Sequence, residues 1–306
     1  GIIVVLANII LIVFIRKKYT YETKLEVQSP DQPVLLTESP LNPKYNREQM
    51  TTIMFEQFRA PSLYIQNTSV LSLYTTGRKN GVVLDCGDDS IKVVPIYEGF
   101  KITNAISQSL IGGRNLTDYL IELLSKKNIE FQTSEERRCA CDIKEKLCYV
   151  APQYLQDMQT SETSTLITRT YEMPDGQILT IGSERFKTPE VLFQPQLFKS
   201  DENGVHDLLY QAITNCDPSI QKDLYSNIVL TGGSSLFDGF SARLHKEVAD
   251  LAPNILNVQI SASPDRKFAA WVGGSILASL STFQDMCITK EEYNESGAGI
   301  VNRKCV

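Results

Sequence analysis

Apolar positions recur along this chain with two different periods, and short turns separate the segments. Helical spacing marks residues 43–57, where Asn42-Pro43 supplies a start signal and Met50, Ile53, Met54 and Phe58 recur on one side. Strand patterns follow over 81–86 (GVVLDC) and 91–97 (IKVVPIY), joined by a tight Gly87-Asp88-Asp89-Ser90 turn. Asn115 is placed as the cap of a helix whose Leu116, Leu120, Leu123 and Leu124 share an apolar face. Ser134-Glu135-Glu136-Arg137 opens a further helix that runs through Lys144, Glu145 and Leu147. A hairpin is expected over 171–181 around Met173-Pro174-Asp175-Gly176. Residues 227–231 read as a buried strand ending at Gly232-Gly233, 238–250 as a helix, and 272–280 as a packed helix rich in small residues. From about Tyr19 onward this alternation predicts an α/β fold with parallel or mixed sheets. No internal repeat of 20 to 50 residues interrupts it.

Composition narrows the function classes. A chain of 306 residues, 42% hydrophobic and 22% charged, is globular and sized for one large or two ordinary domains, which excludes a mostly disordered protein. Its 30 Lys and Arg against 36 Asp and Glu give a net charge of −6 with no basic block, which argues against a nucleic-acid binder. An anionic ligand would need a local pocket. Seven cysteines form no disulfide framework and suit a reducing compartment, with Cys139-Ala140-Cys141 read as two side chains on a helix. His206 and His245 stand at no zinc-ligand spacing, and no local signature of a nucleophilic triad is present.

The start of the chain is different in kind. Residues 2–15 (IIVVLANIILIVFI) are apolar except for Asn8, and Arg16, Lys17 and Lys18 follow directly. A spanning helix needs about 20 apolar residues, and a signal peptide carries its charge before the apolar run rather than after it. The run is therefore expected to mark a fragment or a wrongly joined gene product, with a membrane anchor as the alternative.

Candidate chemistry gathers where strands end in glycine. In Val83-Leu84-Asp85-Cys86-Gly87-Asp88 a buried strand delivers an aspartate to a sharp turn, where backbone N–H groups can face a phosphate and a carboxylate its magnesium. A second turn, Leu230-Thr231-Gly232-Gly233-Ser234, precedes a helix, and its glycines allow a ligand close to the backbone. Either turn alone is a weak signal, since Gly-Gly after a strand is more often a packing turn than a phosphate cradle, and Lys144-Glu145 alone reads as a solvated helix face. Together with Lys144-Glu145 and Arg266-Lys267 they suggest a bound nucleotide.

Longer stretches carry a resemblance. Pro33-Val34-Leu35-Leu36-Thr37-Glu38, Val94-Pro95-Ile96-Tyr97-Glu98-Gly99, Leu116-Thr117-Asp118-Tyr119-Leu120 and the run DIKEKLCYV at 142–150 are similar to actin. So are Pro174-Asp175-Gly176-Gln177, the run GGSILASLSTF at 273–283 and the ending Val301-Asn302-Arg303-Lys304-Cys305. The likeness runs from about residue 25 to 306. It implies the actin-like ATPase fold, an α/β architecture of ribonuclease H-like duplicated lobes with one lobe incomplete, and a cytoplasmic, cytoskeletal location. Residues 1–18 would stand outside the match, 19–75 with 268–306 would form the remainder of the first lobe, and 76–267 the second. ATP or ADP with Mg2+ would bind through Asp85, Gly87, Asp88, Gly113, Lys144, Glu145, Gly233, Phe237 and Lys267, with Asp85 reaching the metal through water. Tyr74, Thr75, Gly77, Phe100, Leu277, Leu280 and Thr282 would line the hydrophobic cleft that receives actin-binding proteins of the profilin type, and actin or copies of this chain would be the filament partners. Neither a nucleic acid nor, unless 2–15 is a real anchor, a membrane is implied.

Departures from the family pattern change the expected activity. The family's first phosphate loop, a strand followed by an Asp-Asn-Gly-Ser-Gly type turn, finds no match, and neither does its mobile DNase-binding subdomain. Thr68 stands where a glutamine positions the attacking water, Lys92 where the second phosphate loop has histidine, and Asp89 where that loop has glycine. Hydrolysis needs a placed water and donors matched to growing phosphoryl charge, so slow turnover and weak ATP binding are expected. The segment 196–203, the family's hydrophobic plug, is charged here and reads as a solvated loop. The leading expectation is an actin-like structural protein with impaired polymerisation and hydrolysis. The alternative is a non-polymerising module that binds actin-binding proteins through the same cleft, and a sugar-kinase-like enzyme stands third for want of a recognisable substrate base.

Overall fold

The structure is a computed structural model, and it describes residues 3–5, 32–253 and 256–305. Its strands are β1 (Ile3–Val5), β2 (Val34–Glu38), β3 (Ser62–Asn67), β4 (Gly81–Cys86), β5 (Ile91–Tyr97), β6 (Phe100–Lys101), β7 (Ser107–Ser109), β8 (Arg169–Glu172), β9 (Ile178–Ile181), β10 (Ile228–Thr231), β11 (Ile260–Ser261) and β12 (Ile288–Thr289). The helices that matter below are α1 (Lys44–Thr52), α2 (Thr68–Tyr74), α3 (Gly113–Ser125), α4 (Ser134–Leu147), α5 (Phe240–Leu251) and α6 (Ala269–Ala278). The mixture is α/β, as the sequence pattern predicts. Two compact units divide it: residues 1–83, 96–103 and 268–306 form the first, and residues 84–95 and 104–267 the second. The boundary runs through β4 and β5, so residues 76–83 and 96–103 belong to the first unit.

The first unit is built on a four-stranded sheet in the order β1-β2-β3-β12. β2 runs parallel to β3 in the register Val34↔Leu63 to Glu38↔Asn67, and β12 closes the far edge antiparallel at Ile288↔Leu63. Every residue of β2 and β3 is buried, which is why Val-Leu-Leu and Leu-Tyr-Ile occur as continuous apolar runs rather than alternating ones. Met54, Phe55, Leu71, Phe283 and Ile288 complete this core. α1 continues into a π-helical turn, Ile53–Gln57, which carries the helical pattern to the end of the predicted segment. Arg47 of α1 pairs with the buried Glu38 at 3.0 Å and donates to the Cys305 carbonyl oxygen, tying the last described residue to β2. The small residues of α6 serve close packing: a Cβ on Gly273 would lie 1.7 Å from the Leu71 carbonyl oxygen of α2.

Three residues of the apolar start belong to this sheet. Ile3, Val4 and Val5 pair in parallel with Val34, Leu35 and Leu36, so this part of the run forms a strand where neither a fragment boundary nor an anchor was expected to. The remainder of residues 2–15 lies outside the described residues.

In the second unit the sheet order is β11-β10-β4-β5, with β7 antiparallel on β5 and β10 parallel to β11. Leu84, Cys86, Ile91 and Val93 from the strands and Leu116, Leu120, Leu124, Ile143, Phe240 and Leu244 from the helices are buried in its core. The expected apolar stripe of α3 is thus three leucines wide; Leu123 remains half-exposed on its flank. β8 and β9 form the expected hairpin, Arg169↔Ile181 to Glu172↔Ile178. α4 begins behind a full capping box, in which the Thr133 hydroxyl accepts the Glu136 N–H at 3.2 Å while Glu136 accepts the Thr133 N–H at 2.8 Å. The cap of α3 differs from expectation. Gly112 is the capping residue, and Asn115, three positions inside, accepts the Gly112 N–H at 2.9 Å. The charged segment 196–203 is partly anchored rather than simply solvated: Glu202 accepts the Leu110 N–H at 2.9 Å, and Phe198 packs edge-on against Tyr119.

Candidate functional site

β4 ends in a turn whose shape is fixed from two sides. The Gly87 N–H donates to the Ser90 carbonyl at 3.0 Å, closing the turn on itself. From α3, the N–H groups of Gly113 and Arg114 donate to the carbonyls of Gly87 and Asp88 at 3.0 and 2.9 Å. These are two of the donors that a helix N-terminus leaves without intrahelical partners, and here the turn satisfies them. The approach requires glycine at 112, where a Cβ would lie 2.3 Å from the Asp88 carbonyl oxygen.

The turn after β10 locks onto the same place. Gly232 adopts φ +88°, and a Cβ there would stand 2.3 Å from the Cys86 carbonyl oxygen and 2.6 Å from Asp85 Oδ1. The Ser234 hydroxyl donates to the Gly87 carbonyl at 3.1 Å. Behind it Arg266 donates from Nε to the Ser235 hydroxyl at 3.0 Å and from Nη2 to the Ser235 carbonyl at 2.7 Å. The Thr231 hydroxyl donates back to the Arg266 carbonyl at 2.9 Å.

α4 brings Lys144 and Glu145 to these turns. The Lys144 ammonium, on a residue only 6% exposed, donates to the Gly113 carbonyl at 2.6 Å and to the Thr117 hydroxyl at 2.9 Å. An ammonium has three donors, so one remains for a ligand. Glu145 is exposed beside it. The expected solvated helix face thus has one buried and one exposed member.

A pocket of about 370 Å³ opens within the second unit, lined by Asp88, Gly113, Lys144, Glu145, Gly233, Ser234, Leu236, Phe237 and Lys267. Seven of these are expected ligand-binding residues. Ser234 was placed in the second turn but not among them, and its hydroxyl could have marked it, whereas nothing in the sequence marks Leu236, which adds apolar wall beside Phe237. Asp85 and Gly87 stand behind the lining: the Gly87 carbonyl is taken up by Gly113 and Ser234, and the half-buried Asp85 lies against Gly232 of the second turn. Burial pushes the Asp85 carboxyl above its ordinary range, opposed by the charge of Lys92 on β5.

Charge at the rim is arranged around Arg114, a residue the sequence did not single out. Its guanidinium meets Asp89 Oδ1 at 2.8 Å and Asp88 Oδ2 at 3.2 Å. Among the described residues no group of three or more His, Cys, Asp or Glu side chains is placed to hold a metal ion, and no helix is long and apolar enough to cross a membrane.

The remaining candidates lie in the first unit. Thr68 is the first residue of α2, with Asn67 capping the helix through the Ser69 N–H at 2.9 Å. Tyr74 and Thr75 end that helix, and Gly77 follows at φ +70°. Phe100, Leu280 and Thr282 are exposed, Leu280 to 50%. Leu277 is 2% exposed and belongs to the core of this unit, on the same side of α6 as Gly273. The protein-family model for actin matches residues 17–306 of this chain.

Proposed function

Because the chain belongs to the actin family, we propose that it is an actin-like cytoskeletal protein whose second unit holds ATP or ADP with Mg2+, and in which hydrolysis and polymerisation are impaired. The observation that carries the reading is the convergence of Gly113, Lys144, Glu145, Gly233, Phe237 and Lys267 on one pocket. The lining suits a nucleoside. Phe237 and Leu236 supply apolar wall for a base, Glu145 an acceptor for ribose hydroxyls, and Lys144 and Lys267 cationic donors. Gly113 is required by its surroundings: a Cβ there would stand 2.7 Å from the Ser234 hydroxyl and 3.4 Å from the Lys144 ammonium.

The phosphate end fits less simply. Asp85 offers a hard carboxylate oxygen, which suits a hydrated divalent cation, and Mg2+ when bound would neutralise phosphate charge. Asp89 adds a negative charge beside Asp88, and Arg114 compensates only one of the two. These residues favour retention of the nucleoside over fast turnover.

Equilibrium binding of adenosine, ADP and ATP to the whole chain tests the reading. Saturable binding is expected for all three, weakened severalfold by Glu145→Ala with an unchanged thermal midpoint, and phosphate release is expected to be slower than in ordinary actin. Failure of all three ligands to bind at millimolar concentration would overturn it. The exposed Phe100 and Leu280 favour a second reading, a module that binds profilin-type proteins without polymerising. Co-sedimentation separates the two, since the module stays in the supernatant with or without nucleotide.

A further inference from the structure

Arg114 sits over the β4–β5 turn on a rigid base. Its own N–H is bonded to the Asp88 carbonyl at 2.9 Å, and its neighbour Gly113 is bonded to Gly87 at 3.0 Å. Gly112, two residues before it, has no room for a Cβ against Asp88 and Ser90. The guanidinium itself is in solvent. Arg114 is 61% exposed, and its partners Asp88 and Asp89 are 66% and 73% exposed. Ion pairs this open contribute little to folding stability. What they fix is the charge of a cluster beside the pocket that Asp88 lines: its two carboxylates and one guanidinium sum to −1. A guanidinium bonded to carboxylates is also chemically suited to exchange them for phosphate oxygens, which offer the same paired acceptor geometry.

We propose that Arg114 and Asp89 are specificity-determining residues of this pocket, with Arg114 the counter-cation that exchanges its carboxylate partners for a ligand's phosphates and Asp89 the charge that opposes the exchange. The proposal rests on the nucleotide reading of the pocket. Its consequence is selection by ligand charge. Asp89 competes for the guanidinium and repels the incoming anion, so its effect grows with the number of phosphates and vanishes for a neutral nucleoside. Removal of Arg114 leaves two uncompensated carboxylates and acts in the opposite direction.

Dissociation constants of adenosine, AMP, ADP and ATP for the wild-type chain, Asp89→Asn, Arg114→Gln and the double variant, at low salt and fixed Mg2+, test this. Asp89→Asn is expected to tighten ATP by about threefold to tenfold and Arg114→Gln to weaken it by a similar factor, from unit charges about 7 Å apart in a largely aqueous setting. The effect should fall from ATP to AMP, be absent for adenosine, and shrink at 0.5 M salt. The double variant should deviate from additivity, because the two residues contact each other. ATP binding that is unchanged in both single variants, or shifted equally for ATP and adenosine, overturns the proposal while leaving the nucleotide reading intact. Absence of binding by the wild-type chain for all four ligands overturns both.

Discussion

Gly232 and Cys86 approach so closely that the glycine's missing Cβ would lie 2.3 Å from the cysteine's carbonyl oxygen. The contact joins the ends of β10 and β4, and both candidate turns depend on it. A φ of +88° at Gly232 adds a second demand that an L side chain does not meet. Gly232→Ala is therefore expected to destabilise the chain by about 3 kcal/mol or more, from a backbone clash combined with left-handed strain. Chemical denaturation checks this through the midpoint, and adenosine binding should be lost in parallel.

Lys144 is held as a structural cation before any ligand arrives. Lys144→Met removes the donor to the Gly113 carbonyl and the Thr117 hydroxyl inside a buried site. The expected cost is about 2 kcal/mol, the range for leaving buried polar groups unsatisfied, softened because the Thr117 hydroxyl still donates to Gly113 at 3.1 Å. Urea unfolding measures the loss, and adenosine affinity should fall with it because the pocket wall shifts.

Asp85 makes stability depend on pH with a definite sign. Its carboxyl titrates above the ordinary value of 3.8 in the folded chain because burial penalises the anion. Between that ordinary value and the raised one the native state binds more protons than the unfolded state, so stability falls as pH rises through this window and the loss is complete above it. Asp85→Asn should raise the melting temperature by a few degrees at neutral pH and leave it nearly unchanged near pH 3, as judged by thermal unfolding across that range.

Thiol reactivity separates two classes of cysteine. Cys139 and Cys141 on α4 are half-exposed, whereas Cys86, Cys148, Cys216, Cys287 and Cys305 are buried. Burial pushes Cys148 and Cys305 up to about 12 and Cys216 and Cys287 up to about 11. Reaction with a chromogenic disulfide at pH 8 should therefore consume two thiols in the native chain and seven after denaturation. Rapid native reaction of a third thiol would contradict the burial assigned here.

Much of this site was legible in the sequence because its backbone is written in local signals. Gly87-Asp88-Asp89-Ser90 could only be a tight turn, and Gly232-Gly233 after Ile228-Val229-Leu230-Thr231 reads as the end of a strand. The resemblance then selected Gly113, Lys144, Glu145, Phe237 and Lys267, which lie on separate elements and meet only through tertiary packing. What escaped the sequence depends on that packing as well. Arg114 pairs with Asp88 and Asp89 from 26 and 25 residues further along the chain, and no periodicity links them. Leu277 fits either a groove or a core on helical spacing alone, and the contact of α6 with α2 decides for the core. Ile3–Val5 shares its apolar character with the residues that follow, so only pairing with β2 distinguishes it as a strand.

The central claim is that a nucleotide occupies the pocket of the second unit, and photolabelling of the whole chain with an azido-adenine analogue of ATP tests it most directly. Peptide mapping is predicted to place the label within the segments that carry Lys144-Glu145 and 233–237, with protection by excess adenosine. Label confined to other segments, or not displaced by adenosine, would contradict the account.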